Sequence, residues 1–392
     1  MTGHVLLTAN SAWGIAHFRR PLIRALAAHG HAVTVLAPPD DGVGLLAQLG
    51  CRFVPLEMDQ KGLSPRADVA LMRRLERAFR ACAPDVVLSW TIKNNIWGAF
   101  AAREAGCRFL PNVSGLGTAF LSGGPLRFVA ETLYARAFRH LDHVFFQNPE
   151  DRDLFLARRL VRADQARLLP GSGIDLAHFA PVPMPPADAP PAFLFIGRLI
   201  RDKGVLEYVE AARMVRAKVP QARFSMLGAL GVANRGAVSA RTVAGWVEAG
   251  HVRHLGTAED VRPHIAAASC VVLPSYREGA PRALIEASAM ARPVIATNVP
   301  GCRSVVSDGE TGILCRAMDA RALADACLAF LDLPPVARAA MGEAGRARME
   351  ALYDERLVVE AYLQAMGAGS ADAGSAGAAR ARPENSISTA NT

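Results

Sequence analysis

"APVPMPPADAPP", residues 180–191, holds six prolines in twelve positions. Proline has a fixed φ and no amide hydrogen, so neither a helix nor a sheet ladder runs through such a stretch. It reads as a linker. Directly after it, "AFLFIGR" (192–198) begins a short apolar run followed by a helical period at about 204–218. The same alternation precedes it. Strand-like runs lie at 4–10, 31–38, 85–90, 108–113, 143–148 and 166–171, with helical periods at 18–30 and at about 66–82, 95–106, 125–140 and 150–159. After the linker, strands at 222–228, 251–256, 270–275 and 293–298 alternate with helices at about 237–249, 260–268, 281–291, 319–332 and 334–351. Strands this apolar, alternating with helices, predict parallel sheets covered on both faces. The fold class is α/β, in two halves. Ligands of such halves sit beyond the carboxyl ends of the strands, and two facing halves make a cleft.

The totals agree. A chain of 392 residues exceeds one ordinary core, and 51% hydrophobic content excludes wholesale disorder. No apolar run reaches the roughly 18 residues that span a bilayer. The start, "MTGHVLLTANSAWG", lacks a basic segment ahead of its apolar run, so no signal peptide is expected. Seven scattered cysteines without a CxxC pair read as free thiols of a reducing cytoplasm. Net charge is +8, unevenly spread: residues 1–186 carry 21 Lys and Arg against 15 Asp and Glu, the rest 23 against 21. A basic first half suits a phosphate-bearing substrate or a membrane surface, or is a solubilising excess. Nucleic acid is not expected, because the basic residues are dispersed without interleaved aromatics.

Two segments carry chemistry. After the strand at 192–197 comes "RLIRDKG", with Gly197, Arg198, Lys203 and Gly204. Glycines let backbone approach a phosphate, a new helix offers free N–H groups, Arg grips phosphate bidentately and Lys adds a point charge. The alternative is a solvated loop. The chain uses only four lysines, at 61, 93, 203 and 218, so a lysine here carries weight. The second segment is "SYREGAPRALIEASAM" (275–290). Glu278 follows a strand end. The turn Gly279-Ala280-Pro281 leads into a helix expected to begin near Ala280, whose N-terminus favours an anion such as a diphosphate. Glu286 lies about two turns in, on a mostly apolar helix, where a carboxylate is costly without partners. A ribose diol is a fitting partner, since two adjacent hydroxyls can donate to one carboxylate. Glu278 could accept from sugar hydroxyls. The alternatives are a helix-surface charge for Glu286 and a helix-start acid for Glu278.

Gly197-Arg198…Lys203-Gly204 and Glu278-x7-Glu286, in that order and about 80 residues apart, make the chain resemble the retaining glycosyltransferases of family 4. The resemblance runs from the first strand to about residue 366. It implies the GT-B fold of two facing Rossmann-like domains, and a UDP-sugar held mainly by the C-terminal domain. Arg198 and Lys203 would stabilise the leaving diphosphate, Glu286 would bind the ribose, and Glu278 the donor sugar. Bond breaking builds negative charge on the leaving oxygen, and fixed cations aimed at it can replace a metal. No metal or other cofactor is therefore expected. Asp151-Arg152-Asp153, the one DxD-like string, reads as acids at a helix N-terminus.

The expected division is residues 1–180 for the acceptor, linker 181–191, and 192–351 for the nucleotide sugar. A helix at 352–366 returns to the first domain, and 367–392 form a Gly/Ala/Ser-rich disordered tail. Three first-half loops would open onto the cleft: 10–20 with Gly14, His17, Phe18 and Arg19; 90–95 with Lys93 and Asn94; and 112–124 with Ser114. Gly14 would let backbone approach the donor diphosphate or the acceptor. With "MDQKGLSP" (58–65), these loops resemble bacterial enzymes that add N-acetylhexosamines or similar sugars to undecaprenyl-diphosphate-linked sugars. That likeness makes Arg19, Lys61 and Lys93 candidates for the acceptor's diphosphate. Ser114 departs from the many members that carry His in that loop, so a mechanism relying on that His is in doubt.

The stretch 125–141 mixes Phe128, Val129 and Leu133 with Arg127, Arg136, Arg139 and His140. It suits either packing on its own sheet or an anionic interface, the inner face of the cytoplasmic membrane. Two other functions remain open: a sugar-nucleotide epimerase of the same architecture and a non-catalytic sugar-nucleotide-binding protein.

Overall fold

A computed structural model describes residues 3–59, 62, 64–116, 124–231, 234 and 236–377, without the side chains of 124–126 and 368–377. Its first half is a parallel sheet of β1 (His4–Thr8), β2 (Ala32–Ala37), β3 (Arg52–Pro55), β4 (Val86–Trp90), β5 (Arg108–Val113), β6 (Val144–Phe146) and β7 (Ala166–Leu168). Their order is β3-β2-β1-β4-β5-β6-β7. The second sheet holds β8 (Ala192–Ile196), β9 (Arg223–Leu227), β10 (Arg253–His254), β11 (Cys270–Leu273), β12 (Val294–Thr297) and β13 (Gly312–Cys315), in the order β10-β9-β8-β11-β12-β13, again parallel. Each order reverses once, between β1 and β4 and between β8 and β11. Those reversals leave crevices at the strands' carboxyl ends.

The first half's helices are α1 (Ala12–Phe18), α2 (Arg20–Ala28), α3 (Val43–Gln48), α4 (Pro65–Cys82), α5 (Ile92–Ala105), α6 (Gly124–Phe138) and α7 (Pro149–Ala157). The second has α8 (Val205–Lys218), α9 (Ala240–Glu248), α10 (Arg262–Ala267), α11 (Arg282–Ala289), α12 (Cys302–Val305), α13 (Ala320–Asp332) and α14 (Pro335–Leu352), followed by α15 (Glu355–Gly377). Alternate residues of β1 enter opposite cores, Val5 and Leu7 on one face and Leu6 on the other. That is what a sheet covered on both sides requires.

The differences from the sequence reading have local causes. Residues 12–18 are helical rather than loop, because Ser11 caps α1 by accepting from the Gly14 amide at 3.0 Å. The run 18–30 is correspondingly shorter and starts at Arg20. β3, β13, α3 and α12 are too short for their periods to stand out.

The proline run forms no regular element, but it is not where the halves part. Ile174 and Phe179 already belong to the second half's core, and Val182 packs on it. The buried Arg292 donates from Nη2 to the Pro183 carbonyl at 3.0 Å. The chain crosses earlier, near 169–175, and crosses back at 353–355. There Ile174 N–H donates to Tyr353 O at 2.8 Å and Glu355 N–H to Ile174 O at 3.1 Å. After this return, α15 lays Val358, Tyr362 and Ala365 into the first half's core. Arg108 holds it by donating to Ala365 O (2.9 Å) and Met366 O (2.8 Å). Of the expected tail 367–392, the described part continues α15 to Gly377; positions 378–392 lie outside the described residues.

Candidate active site

The second half builds its site at the β8/β11 reversal. Gly197 and Arg198 follow β8, and the Arg198 guanidinium is exposed, without hydrogen-bond or ion-pair partner among the described residues. Arg201–Lys203 form a single 3-10 turn that ends in Gly204 at φ +71°. A side chain at 204 would be strained by that φ, and its Cβ would lie 2.0 Å from the Pro274 carbonyl oxygen. Only glycine lets the turn come this close to the end of β11. Tyr276 N–H donates to Asp202 O at 2.9 Å and fastens the two loops. The approach delivers Lys203 Nζ to Glu278 Oε1, an ion pair whose side chains are 21% and 12% exposed. Beneath them lies Cys302. Burial pushes its thiol pKa up, Glu278 pushes it further, and Lys203 opposes.

The segment after Glu278 lies where the halves meet. Asn148 caps α7 and also donates from Nδ2 to Gly279 O at 2.9 Å. A Cβ at 279 would stand 2.2 Å from Ser114 O, so glycine is required for the first-half loop to approach. Ala280 lies against Gly171 of the crossing segment. Arg277 pairs with Asp151, whose side chain is fully buried. Burial raises the Asp151 carboxyl pKa, with Arg277 as the main opposing influence. Asp151 is thus used inside α7's first turn and across the seam. Pro281 is the N-cap of α11, not its first turn, and the helix begins at Arg282. Glu286, 12% exposed, accepts from Arg282 Nε at 2.9 Å.

The first-half candidates are largely engaged. Lys93 donates to Asp68 Oδ1 at 2.8 Å, bracing α5 against α4. Asn94 is fully buried; it donates to Thr8 Oγ1 and accepts from Thr91 Oγ1, both at 2.9 Å. It is a core residue with no face for an acceptor. Thr91, a β-branched residue at φ +73°, ends β4 in a strained conformation of the kind that clusters at functional sites. Arg19 is 8% exposed, donates to Ser172 Oγ at 2.6 Å and lies over the Trp90 ring at 4.7 Å. Burial lowers its pKa to about 10, which Tyr362 opposes and Arg282 reinforces. It is a seam residue, closed to a bulky diphosphate in this arrangement. His17 stacks on Trp13, and its Nδ1 lies 2.9 Å from Trp13 O. Phe18 lies under Arg282, with the guanidinium 5.2 Å from its ring centroid. Gly14 sits inside α1, and Ser114 is half-buried with its carbonyl against Gly279. Lys61 lies outside the described residues.

Arg277, Arg282, Asn148 and Asp151 were not singled out as site or seam residues from the sequence. Arg282 had a signal, standing four residues before Glu286, the spacing of an intrahelical ion pair. The other three act across the seam, and local spacing does not encode that.

Two family descriptions match the chain: "Glycosyl transferase 4-like domain" over residues 14–171 and "Glycosyl transferases group 1" over 190–332. The chain belongs to the glycosyltransferases. Among curated proteins, this glycosyltransferase is 26% identical over 367 residues to a Campylobacter jejuni enzyme, N,N'-diacetylbacillosaminyl-diphospho-undecaprenol alpha-1,3-N-acetylgalactosaminyltransferase, covering 89% of this chain and 94% of that one. It is 36% identical over 133 residues, 34% of this chain and 31% of the other, to the putative teichuronic acid biosynthesis glycosyltransferase TuaC of Bacillus subtilis. Of solved structures, Thermosynechococcus elongatus sucrose-phosphate synthase superposes with a TM-score of 0.76 at 23% identity, over 93% of this chain and all of that one. Anabaena HepE in complex with UDP-glucose gives 0.76 at 16%, with the same coverage. The architecture is GT-B.

Proposed function

We propose that this glycosyltransferase moves a hexose or N-acetylhexosamine from a UDP-sugar to a lipid-diphosphate-linked sugar, in cell-surface polysaccharide or glycoprotein glycan assembly, with retention at the anomeric carbon. The observation that carries the reading is the Lys203–Glu278 pair, set at a sheet reversal and roofed by the other half through Ser114 and Asn148. Lys203 has three donors, of which Glu278 uses one, so the diphosphate can be held without breaking the pair. The exposed Arg198 is the second cation, and together they take the role a metal ion would play. Glu286 takes the ribose and Glu278 the sugar hydroxyls. The bond between the anomeric carbon and the diphosphate oxygen breaks, and its electron pair stays on that oxygen. An acceptor hydroxyl attacks the same face and passes its proton to the departing phosphate oxygen. Fixed cations there stabilise charge that develops only in the transition state.

The lipid acceptor is supported by the Campylobacter jejuni relative's substrate and by the first half's charge. No helix of the described residues is long and apolar enough to cross a membrane. On α6, Phe128 and Val129 are 71% and 52% exposed while Tyr134 and Phe138 are buried. This face suits peripheral attachment to an anionic leaflet. The test is a panel of radiolabelled nucleotide sugars against undecaprenyl-diphosphate sugars, with products read by mass. Transfer from a UDP-sugar to a lipid-linked acceptor is expected. Transfer only to soluble acceptors would overturn the lipid assignment, and interconversion of the sugar without acceptor would overturn the transferase chemistry.

A further inference from the structure

We infer that Arg282 is the positioning residue that presents Glu286 to the ribose, and that the N-terminal half holds Arg282 in place to do so. The inference rests on the reading of Glu286 as the ribose contact, and it adds a residue to that contact. Glu286 stands on a helix whose neighbours Ala283, Leu284, Ile285 and Ala287 are buried, so its carboxylate has little water. An acid in such a place costs free energy unless it is paired. Arg282 provides the pair through one nitrogen only, Nε to Oε1 at 2.9 Å. A fork-like contact would occupy both oxygens; this one leaves lone pairs free, enough for two hydroxyls of a diol. The guanidinium therefore fixes the acid's rotamer without filling the site.

Its other contacts lie outside the helix. Nη1 donates to the Gly173 carbonyl at 3.2 Å, on the segment where the chain passes between the halves. The flat face lies 5.2 Å from the Phe18 ring centroid, at the end of α1 in the first half. Three parts of the chain thus fix one guanidinium: α11, the crossing segment at Gly173 and α1. Lysine keeps the charge but has no planar face and no fixed fork of donors, so it cannot meet all three. The donor's ribose pocket belongs to the second half, yet its geometry is completed by the first.

The test compares UDP with 2'-deoxy-UDP, which lacks one hydroxyl of the diol, by calorimetric titration of the full chain. Wild type is expected to prefer UDP by about tenfold, the weight of one hydrogen bond to a charged group. Glu286→Gln should lose that preference. Arg282→Met should lose it too, weakening UDP more than 2'-deoxy-UDP, which keeps only the 3'-hydroxyl for Glu286, and Arg282→Lys should recover part of it. A purely structural role would weaken both nucleotides alike. Wild type taking both nucleotides equally would remove the ribose contact and the role of Arg282 with it. Loss of preference in Glu286→Gln with full preference in Arg282→Met would overturn the Arg282 inference alone. Phe18→Leu, a milder change at the same contact, should narrow the preference severalfold if the first half does the holding; an unchanged ratio there would refute that part.

Discussion

Lys203 and Lys93 each follow a parallel strand, and each is paired with a carboxylate, Glu278 and Asp68. Their side chains are similarly covered, 21% and 17% exposed. The surroundings differ. The partner of Lys203 comes from the loop of the neighbouring strand β11, at the sheet's reversal, beside backbone that the other half touches. The partner of Lys93 sits in the first turn of α4, which packs along α5, and the adjacent Asn94 points into the core. An ion pair after a strand is therefore not itself a site. What distinguishes the first is a carboxylate delivered across two loops by a glycine contact, where a ligand can reach both charges. Lys203→Ala should break the comparison on one side only. Turnover should fall by about a hundredfold to a thousandfold, the cost of removing one preorganised charge. The unfolding midpoint should stay within about 2 °C of wild type. Initial rates with a saturating UDP-sugar check the first expectation and a thermal melt the second. Near-normal turnover would reduce Lys203 to a brace like Lys93.

The reverse pattern is expected at Asn94. Its amide joins a chain of hydrogen bonds from Thr91 through Asn94 and Thr8 to the Leu36 carbonyl, crossing three neighbouring strands of the first sheet at their carboxyl ends. Asn94→Ala leaves Thr8 without that donor inside the core, which costs about 2 kcal/mol. Denaturant unfolding should show that loss while turnover per folded molecule at saturating acceptor stays unchanged. A large rise in acceptor KM with unchanged stability would return Asn94 to the acceptor site.

The same contrast explains what could be read from the chain. The sheets and their parallel sense were legible because buried strands and covering helices repeat with clear periods. The two segments that meet at the β8/β11 reversal were legible as loops because a turn flanked by glycines and a helix start are local constraints, whereas the pairing of Lys203 with Glu278 is set by the approach of the two loops. The first-half side chains were not, since a residue just past a strand can turn into the core, as Asn94 does, or into the seam, as Arg19 does. That choice depends on neighbours distant in sequence, such as Ser172 and Tyr362 beside Arg19. Proline content located a place where regular structure stops, but the halves part earlier, because Ile174 and Phe179 fit the second core.

The smallest expected effect lies at the seam itself. Glu355 opens α15 where the chain returns to its first half. Burial foremost, then Asp175 and Asp354, raise its carboxyl pKa from 4.5 to about 7, against Arg282 and Arg24. A raised pKa in the folded state means that the native protein holds this proton more tightly than the unfolded chain does. The resulting stability is complete below about 4.5 and is lost as pH rises towards 7. Glu355→Gln keeps a neutral group of similar shape and removes that titration. Its unfolding midpoint should therefore decline less than wild type between pH 5 and pH 8, by about 2 °C, since part of the cost is relieved by water at this half-buried site. The two midpoint differences, measured in the same buffers, decide the matter. If both proteins decline equally, the charge at the crossing is already neutralised by Arg282 and Arg24, and the seam carries no acid strain. If wild type declines more, then the segment that returns the chain to its first half is held best when Glu355 is protonated.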